Sequence, residues 1–568
     1  MVSRVVVVST WVVFRLRFNL LKSKDMKTRI AILSGALLIA SFCMTSCDDF
    51  LTTAPSDQVS DASAVSSTAQ LQMSLISAYN QMFFNSSGGN DRLFGGLYGL
   101  QLFWDERGED IMSHTNMGGY QVSAYQFANS FTRTDGDGAK VMWTYCYKLI
   151  NQCNIIIDAL PDADGSDSDK AVIEGQAKAM RALAYFHLIQ TYQQTYMIAQ
   201  GKRGVILRLH PSDPVDMGFS TVQQVYDQIV ADFTDAKKDL AGYNRDEIWR
   251  INVDVINGWM ARVYQVMNNW QESYNCAKAV YDTHSTLMTK EQWYSGFDDC
   301  IQNNIPEVVW AMSATDENNH GGDTCFNFWY NQDPETYGEG QTGIYRFFNL
   351  FTTPAYVALF DDGDWRGTRV PYDQETVTEA EEKAVMFWRR TANADQNYNS
   401  KWAYNKFKHY GDAALSTRPD YCLMRGTEML LIMAEAQANL GNSGEAITLL
   451  NRLQQSRGAK LTTTTNKADL LEEIYKERRK ELLGEGVTGQ YDLVRLQKDL
   501  VRKVATAANP AEHYSWGVDQ FDGYNPADAA PMGTLPSNDY RWFFQIPQDE
   551  MSYNNEITSA DQNPFKGK

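Results

Sequence analysis

The chain predicts a mostly α fold: tetratricopeptide-like helix pairs carrying a loop-rich, aromatic-rich half, with few short strands. Three observations carry that expectation. Apolar residues recur at the helical period in several long segments. Two helix–turn–helix segments, far apart in the chain, align on each other without a gap. Two stretches, 85–138 and 285–420, break the pattern and are rich in Gly, Asn, Asp, Trp and Tyr.

The elements follow in order. In 141–160, Trp143, Tyr147, Ile150, Asn154 and Ile157 mark a helix stopped by Pro161. In 171–192, Ile173, Ala177, Met180, Ala184 and Leu188 form one stripe, with Arg181 and Gln190 off it. Residues 220–241 make a third helix, with Ser220 as N-cap and Gly242 past its end. The repeat comes next: Ala261 to Ala277 aligns on Ala434 to Leu450. Each copy is a helix with small residues, a tight Asn/Gly turn, then Glu272 or Glu445 and a second amphipathic helix. Small residues let two helices approach, so Ala261 and Ala434 are expected at the contact. Trp259 and Trp270, flanking the first turn, are expected in packing, as are Trp143 and Trp310, the latter in the strand-like run Glu307 to Met312. A last helix, Leu470 to Leu483, carries Glu472, Glu473, Lys476, Glu477, Arg478, Arg479, Lys480 and Glu481, and reads as a solvated face laced by i,i+4 ion pairs.

At 568 residues, 43% hydrophobic and 21% charged, the composition is globular, with ample core material. The formal charge of −19 comes from 51 basic and 70 acidic side chains. Basic residues dominate the first 46 positions, so the body is more acidic still. Such a surface repels phosphate backbones and argues against nucleic-acid binding.

The N-terminus reads as an address. Lys27 and Arg29 form a positive n-region after Met26, and Ile30 to Phe42 is an apolar h-region too short to span a bilayer. Met44-Thr45-Ser46-Cys47 resembles a lipobox, which makes Cys47 the expected lipidation site. Asp48 and Asp49 resemble a surface-export signal, and the Ser/Thr/Asp/Ala/Pro-rich stretch to Thr68 reads as a spacer. Residues 1–46 are thus expected to be an over-extended start plus signal peptide, 47–68 a lipidated tether, and 69–568 one domain. Within it the helical framework is expected at about 69–84, 139–284 and 421–500, variable loops at about 85–138 and 285–420, and a tail at 501–568.

Catalytic signatures are missing. The seven His include no pair at metal-ligand spacing, and no His-Glu-x-x-His, Gly-x-Ser-x-Gly, phosphate-loop or dinucleotide fingerprint occurs. Asp362-Gly-Asp364-Trp-Arg366-Gly367 resembles the front of a calcium loop, but Arg366 stands where an oxygen ligand should. No metal or cofactor is expected. Cys146 and Cys153 share a helix face and read as buried small apolar residues.

Several motifs, in this order along the chain, resemble the SusD/RagB family of surface lipoproteins. They are Cys47-Asp-Asp-Phe50-Leu51; Trp143-x-x-x-Tyr147-x-x-Ile150-x-x-x-Asn154; and Ala179-x-Arg181-Ala-x-x-Tyr185-Phe186-x-Leu188. Arg425-x-x-Glu428-x-x-Leu431-x-x-Ala434-Glu435-Ala436 follows, then Glu477-Arg478-x-x-Glu481-Leu482-x-x-Glu485-Gly486 and Tyr491-Asp492-Leu493-x-Arg495. Phe544-x-Ile546-Pro547 and Asn563-Pro564 complete the series. The resemblance implies about four tetratricopeptide-like helix pairs scaffolding a loop-rich half. It also implies a non-enzymatic role at the outer membrane: binding a nutrient, usually a glycan, and passing it to a SusC-like TonB-dependent transporter.

Sugar rings offer flat C–H faces that bury against aromatic planes, while amides and carboxylates take the hydroxyls. The loop regions hold such material, so the ligand surface is expected around Trp329 and Tyr330, supported by Trp293, Trp104, Tyr98 and Tyr120. Three other readings remain: a RagB-like peptide-capturing lipoprotein, a glycoside hydrolase with two inward carboxylates, and a helical scaffold binding a protein in an apolar groove.

Overall fold

In the computed structural model of the chain the described residues are 65–83, 96–113, 137–294, 303–313, 350–370, 385–388, 403–407, 420–502 and 534–564, with single positions between them. Residues 1–64, Cys47 among them, lie outside them. The last residues assigned to the tether belong to the fold: Thr68 N donates to the Asp164 carbonyl at 2.8 Å and Asp164 N to that of Ser66 at 2.9 Å.

The framework is helical. Helices α1 (Thr68–Phe83), α2 (Leu97–Glu106), α3 (Asp137–Ala159), α4 (Asp167–Tyr192) and α5 (Val222–Asp239) come first. They are followed by α6 (Val253–Val266), α7 (Trp270–Tyr281), α8 (Gly426–Asn439), α9 (Ser443–Arg457), α10 (Lys467–Leu482) and α11 (Gly489–Arg495). Helix α4 is the central rod, packed by α3 on one side and α5 on another. Ser166 caps it by accepting from Asp169 N, and Asp167 and Asp169 complement its positive end. All of Arg181 to Ile189 is buried, so the predicted stripe was too narrow. Arg181 is drawn in because Asp232 of α5 takes its Nε and Nη2 at 2.8 and 2.7 Å, and Asn154 of α3 takes Nη1 at 2.9 Å. Helix α5 begins one residue later than predicted, because Thr221 and Gln224 form a reciprocal capping box, while Gln223, which stands three residues after Ser220, bonds to Tyr196 and Asp227 instead.

The two aligned segments fold as helix pairs, α6/α7 and α8/α9, and α7 packs on α8. Their register is visible in the backbone. The alignment sets Asn268 on Gly441, and both adopt left-handed conformations, φ 54° and 88°. Asn and Gly are the residues that take this conformation most readily. Ala261 and Ala434 are both buried, and Ser273 Oγ donates across the first hairpin to the Ala261 carbonyl at 2.9 Å. Helix α10 lies against α8.

Short antiparallel ladders stitch the irregular half on. Strand β2 (Val308–Ser313) pairs with β6 (Asp420–Arg425), with a bulge at Trp310, and the buried Trp310 donates Nε1 to the Trp249 carbonyl at 2.7 Å. The pairs β1 (Ile111–Ser113) with β3 (Leu350–Thr352), β4 (Phe387–Trp388) with β5 (Ala403–Tyr404), and β7 (Leu500–Val501) with β8 (Thr534–Leu535) are shorter still. The tail returns to the central rod. Phe544 N donates to the Thr191 carbonyl, and Asn563 Nδ2 to the Tyr192 and Phe544 carbonyls at 2.8 and 2.6 Å. Trp143, Cys146 and Cys153 are buried as expected.

Helix α10 departs most from expectation. Glu477, Arg478, Lys480 and Glu481 are buried, and only positions such as Glu472, Glu473 and Lys476 form the partly solvated face. Their partners come from remote segments, so the charge run that resembled a surface helix is an interior one.

Candidate functional site

Two of the six rings expected at the ligand surface are core rings. Trp293, in the helical turn Lys290–Tyr294, is 0% exposed. Its edge-on neighbours are Phe297 and Trp365, at 5.1 and 5.8 Å between centroids. Lys406, Arg425 and Arg457 stand over its face at 5.1, 5.5 and 5.2 Å. The indole quadrupole attracts cations, most strongly where water is excluded. Trp104, in α2, is 5% exposed and packs between His187 and Tyr491 at 5.1 and 6.3 Å. The cavity it borders with Gln190, Gln193 and Gln490 has a volume of about 20 Å³, room for a water rather than a sugar. Trp104 was misplaced because the stretch 85–138, expected to be loop, folds over Leu97–Glu106 as helix α2 and packs on the framework, and Trp293 because the irregular half must also cover that framework with its aromatics. Tyr98 sits in α2, but its side chain lies outside the described residues, as do Tyr120, Trp329 and Tyr330.

Beneath Trp293 lies a charge cluster that joins the irregular half to the framework. Its cations are Arg366, Lys406, Arg425, Arg457 and Lys480; its anions are Glu307, Asp364, Glu477, Glu481 and Glu485, all buried. Five charges of each sign leave it neutral. Glu481 is the hub. It accepts from Arg366 Nη1 at 2.7 Å, from Arg457 Nη2 and Nε at 2.9 and 3.2 Å, and from Arg425 Nη1 at 3.2 Å. Glu485 accepts from Arg425 Nε at 2.9 Å and from Lys406 Nζ at 2.5 Å, while Glu307 pairs with Arg425 from the loop side. Burial opposes the charge on Glu481, but Arg457, Arg366 and Arg425 together outweigh it and hold its carboxyl far below the usual range. Burial likewise opposes Glu477 and Glu485, and their cations again prevail. Carboxylates so held are ionised acceptors and unsuited to donating protons. The cluster's chemistry is that of an anchor.

Arg366 also explains the calcium-like loop. Its Nε and Nη2 donate to Asp364 at 2.9 and 2.7 Å, so a guanidinium occupies the place of a bound cation. Among the described residues no group of three or more His, Cys, Asp or Glu could hold a metal ion.

The framework can be set beside known proteins. The SusD family model matches residues 306–565, and a second model, described as starch-binding associating with outer membrane, matches 97–265. The chain belongs to the SusD family. A similar relative is SusD-like protein P38 of Formosa agariphila, 24% identical over 495 residues that cover 81% of this chain and 90% of the relative. Among solved structures, a SusD-like carbohydrate binding protein from Bacteroides vulgatus superposes with a TM-score of 0.71 at 24% identity, covering 88% of this chain and 99% of that one. A laminarin-binding SusD-like protein gives a TM-score of 0.59 at 20% identity, covering 87% and 99%. In this SusD-family chain the buried cluster draws on the motif residues that carried the resemblance: Arg425, Glu477, Glu481 and Glu485. Their part in the interior was not legible from spacing, since Arg366, Glu307 and Lys406 lie far away in sequence.

Proposed function

We propose that this SusD-family chain is a cell-surface lipoprotein that captures a glycan and passes it to a SusC-like TonB-dependent transporter. The observation that carries the reading is the SusD-family framework itself, shared with solved proteins described as binding carbohydrate or laminarin. The ligand face belongs to the loop-rich half. With Trp104 and Trp293 assigned to the core, Trp329 and Tyr330 are its proposed principal rings, with Tyr98 and Tyr120 as supporting candidates. Calorimetry of the protein against a glycan panel tests this. Trp329→Ala and Tyr330→Ala are each expected to weaken binding about 10–100-fold, the loss of one stacking contact of a few kcal/mol, with thermal stability unchanged. Normal binding by both variants, or unfolding of both, would place the site elsewhere.

The membrane attachment is assigned to lipid on Cys47. Several acyl chains make release negligible, at about 0.8 kcal/mol per buried CH₂. Among the described residues no helix is long and apolar enough to cross a membrane. In cells lacking the transporter, Cys47→Ala is expected to shift the protein from the membrane to the soluble fraction. Retention of that variant on membranes would refute the anchor.

A further inference from the structure

A cleft of about 330 Å³ opens on the helical side of the fold, at the small end of the range for small-molecule sites. Its principal side chains are Trp270 at the start of α7, Glu435 and Asn439 of α8, Tyr475 and Arg478 of α10, and Arg495 at the end of α11. Three features set it apart from ordinary packing.

The first is Trp270. A residue expected in the helix-pair core is only half-buried, unlike Trp259 across the same hairpin, which is buried. Among the described residues its ring meets no other aromatic ring and its Nε1 finds no acceptor. The second is Arg478. It is fully buried; Nε donates to Asp492 at 2.9 Å and Nη2 to the Val487 carbonyl at 2.7 Å, yet Nη1, itself sealed from solvent, has no acceptor among the described residues. An unmatched buried donor costs about 1–3 kcal/mol, so a ligand hydroxyl that reached Nη1 on a shift of the Arg478 side chain would recover that cost. The third is charge balance. Arg495 is held by Glu435 at 2.6 and 2.9 Å and by Asp492 at 2.8 Å, and Lys498 by Glu472 at 2.7 Å. With Arg478, three cations face three carboxylates. An anion entering here meets Glu435 and Glu472 with no surplus of positive charge to offset them. A neutral polyol meets acceptors in Glu435 and Asn439 and an indole for its C–H face, with the unmatched Nη1 of Arg478 behind them as a donor.

We propose that this cleft is a second binding site, for one neutral pyranose unit of a glycan, on the helical framework and separate from the loop-side surface. The inference rests on the glycan reading for its ligand but not for its location.

The test is calorimetry of the full-length protein in detergent micelles with maltohexaose, laminarihexaose, mannohexaose, xylohexaose and hexagalacturonate. For a neutral hexasaccharide that binds, Trp270→Ala is expected to weaken one of two binding events at least tenfold, and Trp270→Tyr to restore most of it. The melting temperature should fall by a few degrees at most, since Trp270 is not fully buried. The double variant Trp329→Ala/Tyr330→Ala should leave that event intact. An isotherm of Trp270→Ala that overlays the wild type overturns the second site and leaves the loop-side reading standing. Loss of all binding in Trp270→Ala alone keeps the cleft and removes the loop-side site. Preference for hexagalacturonate through Trp270 overturns the neutral class, and no binding of any hexasaccharide overturns both readings.

Discussion

Glu481→Gln is expected to destabilise the fold by about 3–5 kcal/mol, the range for breaking a buried ion pair by removing one partner. Glu481 serves Arg366, Arg425 and Arg457 at once. The amide would turn an N–H toward guanidinium donors and leave five buried cations against four carboxylates. Urea unfolding followed by far-UV circular dichroism would measure it. A midpoint equivalent to less than about 1 kcal/mol of change would mean that the cluster relaxes and is not an anchor. Asp282→Asn is the control: the Lys278–Asp282 pair is exposed, and little change is expected.

The same cluster sets an acid dependence. Glu477, Glu481 and Glu485 have carboxyls held below their ordinary range, which in unfolded chains lies near ~4. Their contribution is complete above that range and is lost as pH falls through the lowered folded values, because the unfolded chain takes up protons first. Stability should therefore drop steeply below about pH 4, and the drop should be shallower in Glu481→Gln. Asp105 runs the other way. Burial pushes its carboxyl up to about 7, so its part stabilises the folded state as pH falls from neutrality toward ~4.

Ala434→Phe is the second large effect. Ala434 is fully buried in α8, which packs on α7, α9 and α10. A phenyl ring there must displace one of them, at about 1–3 kcal/mol and more if the pair separates. The melting temperature should fall by several degrees, and Ala261→Phe should behave alike because the two residues share one repeat position. An unchanged melt in both would refute the register that Asn268 and Gly441 support.

Much of the framework was legible in the chain. Periodicity located α3, α4 and α5 to within a few residues, and the gapless match of 261–277 on 434–450 identified two helix pairs. Trp143 was read as core because it lies in the framework-helix motif, and Trp310 because it sits in a strand-like apolar run, and both are buried. The N-cap of α5 was missed by one residue because Ser220 and Thr221 each stand three residues before a Gln, and the bonds of Gln223 to Tyr196 and Asp227 leave Gln224 to close the box.

The candidate ligand surface was less legible. An aromatic in an irregular segment carries no periodicity, so nothing local separates Trp293, sealed over three cations, from a ring that faces solvent. Trp270 erred in the opposite direction: its helical position implied packing, but the cleft beside α10 leaves it half-open.

By itself the sequence determined where the main framework helices lie, though not α2, where the repeated pairs reverse, and which small residues let helices meet. These are local properties, set by side chains within a few positions of one another. Tertiary structure alone decided that the charged face of α10 is interior. Glu481 meets Arg366 and Arg425, and Arg425 meets Glu307, across more than fifty intervening residues in each case. A run of Glu, Lys and Arg has the same period on a solvated helix as on a buried one. What distinguishes the two is the arrival of opposite charges from distant segments, because in a dry interior each charge must be matched, whereas on a surface water suffices.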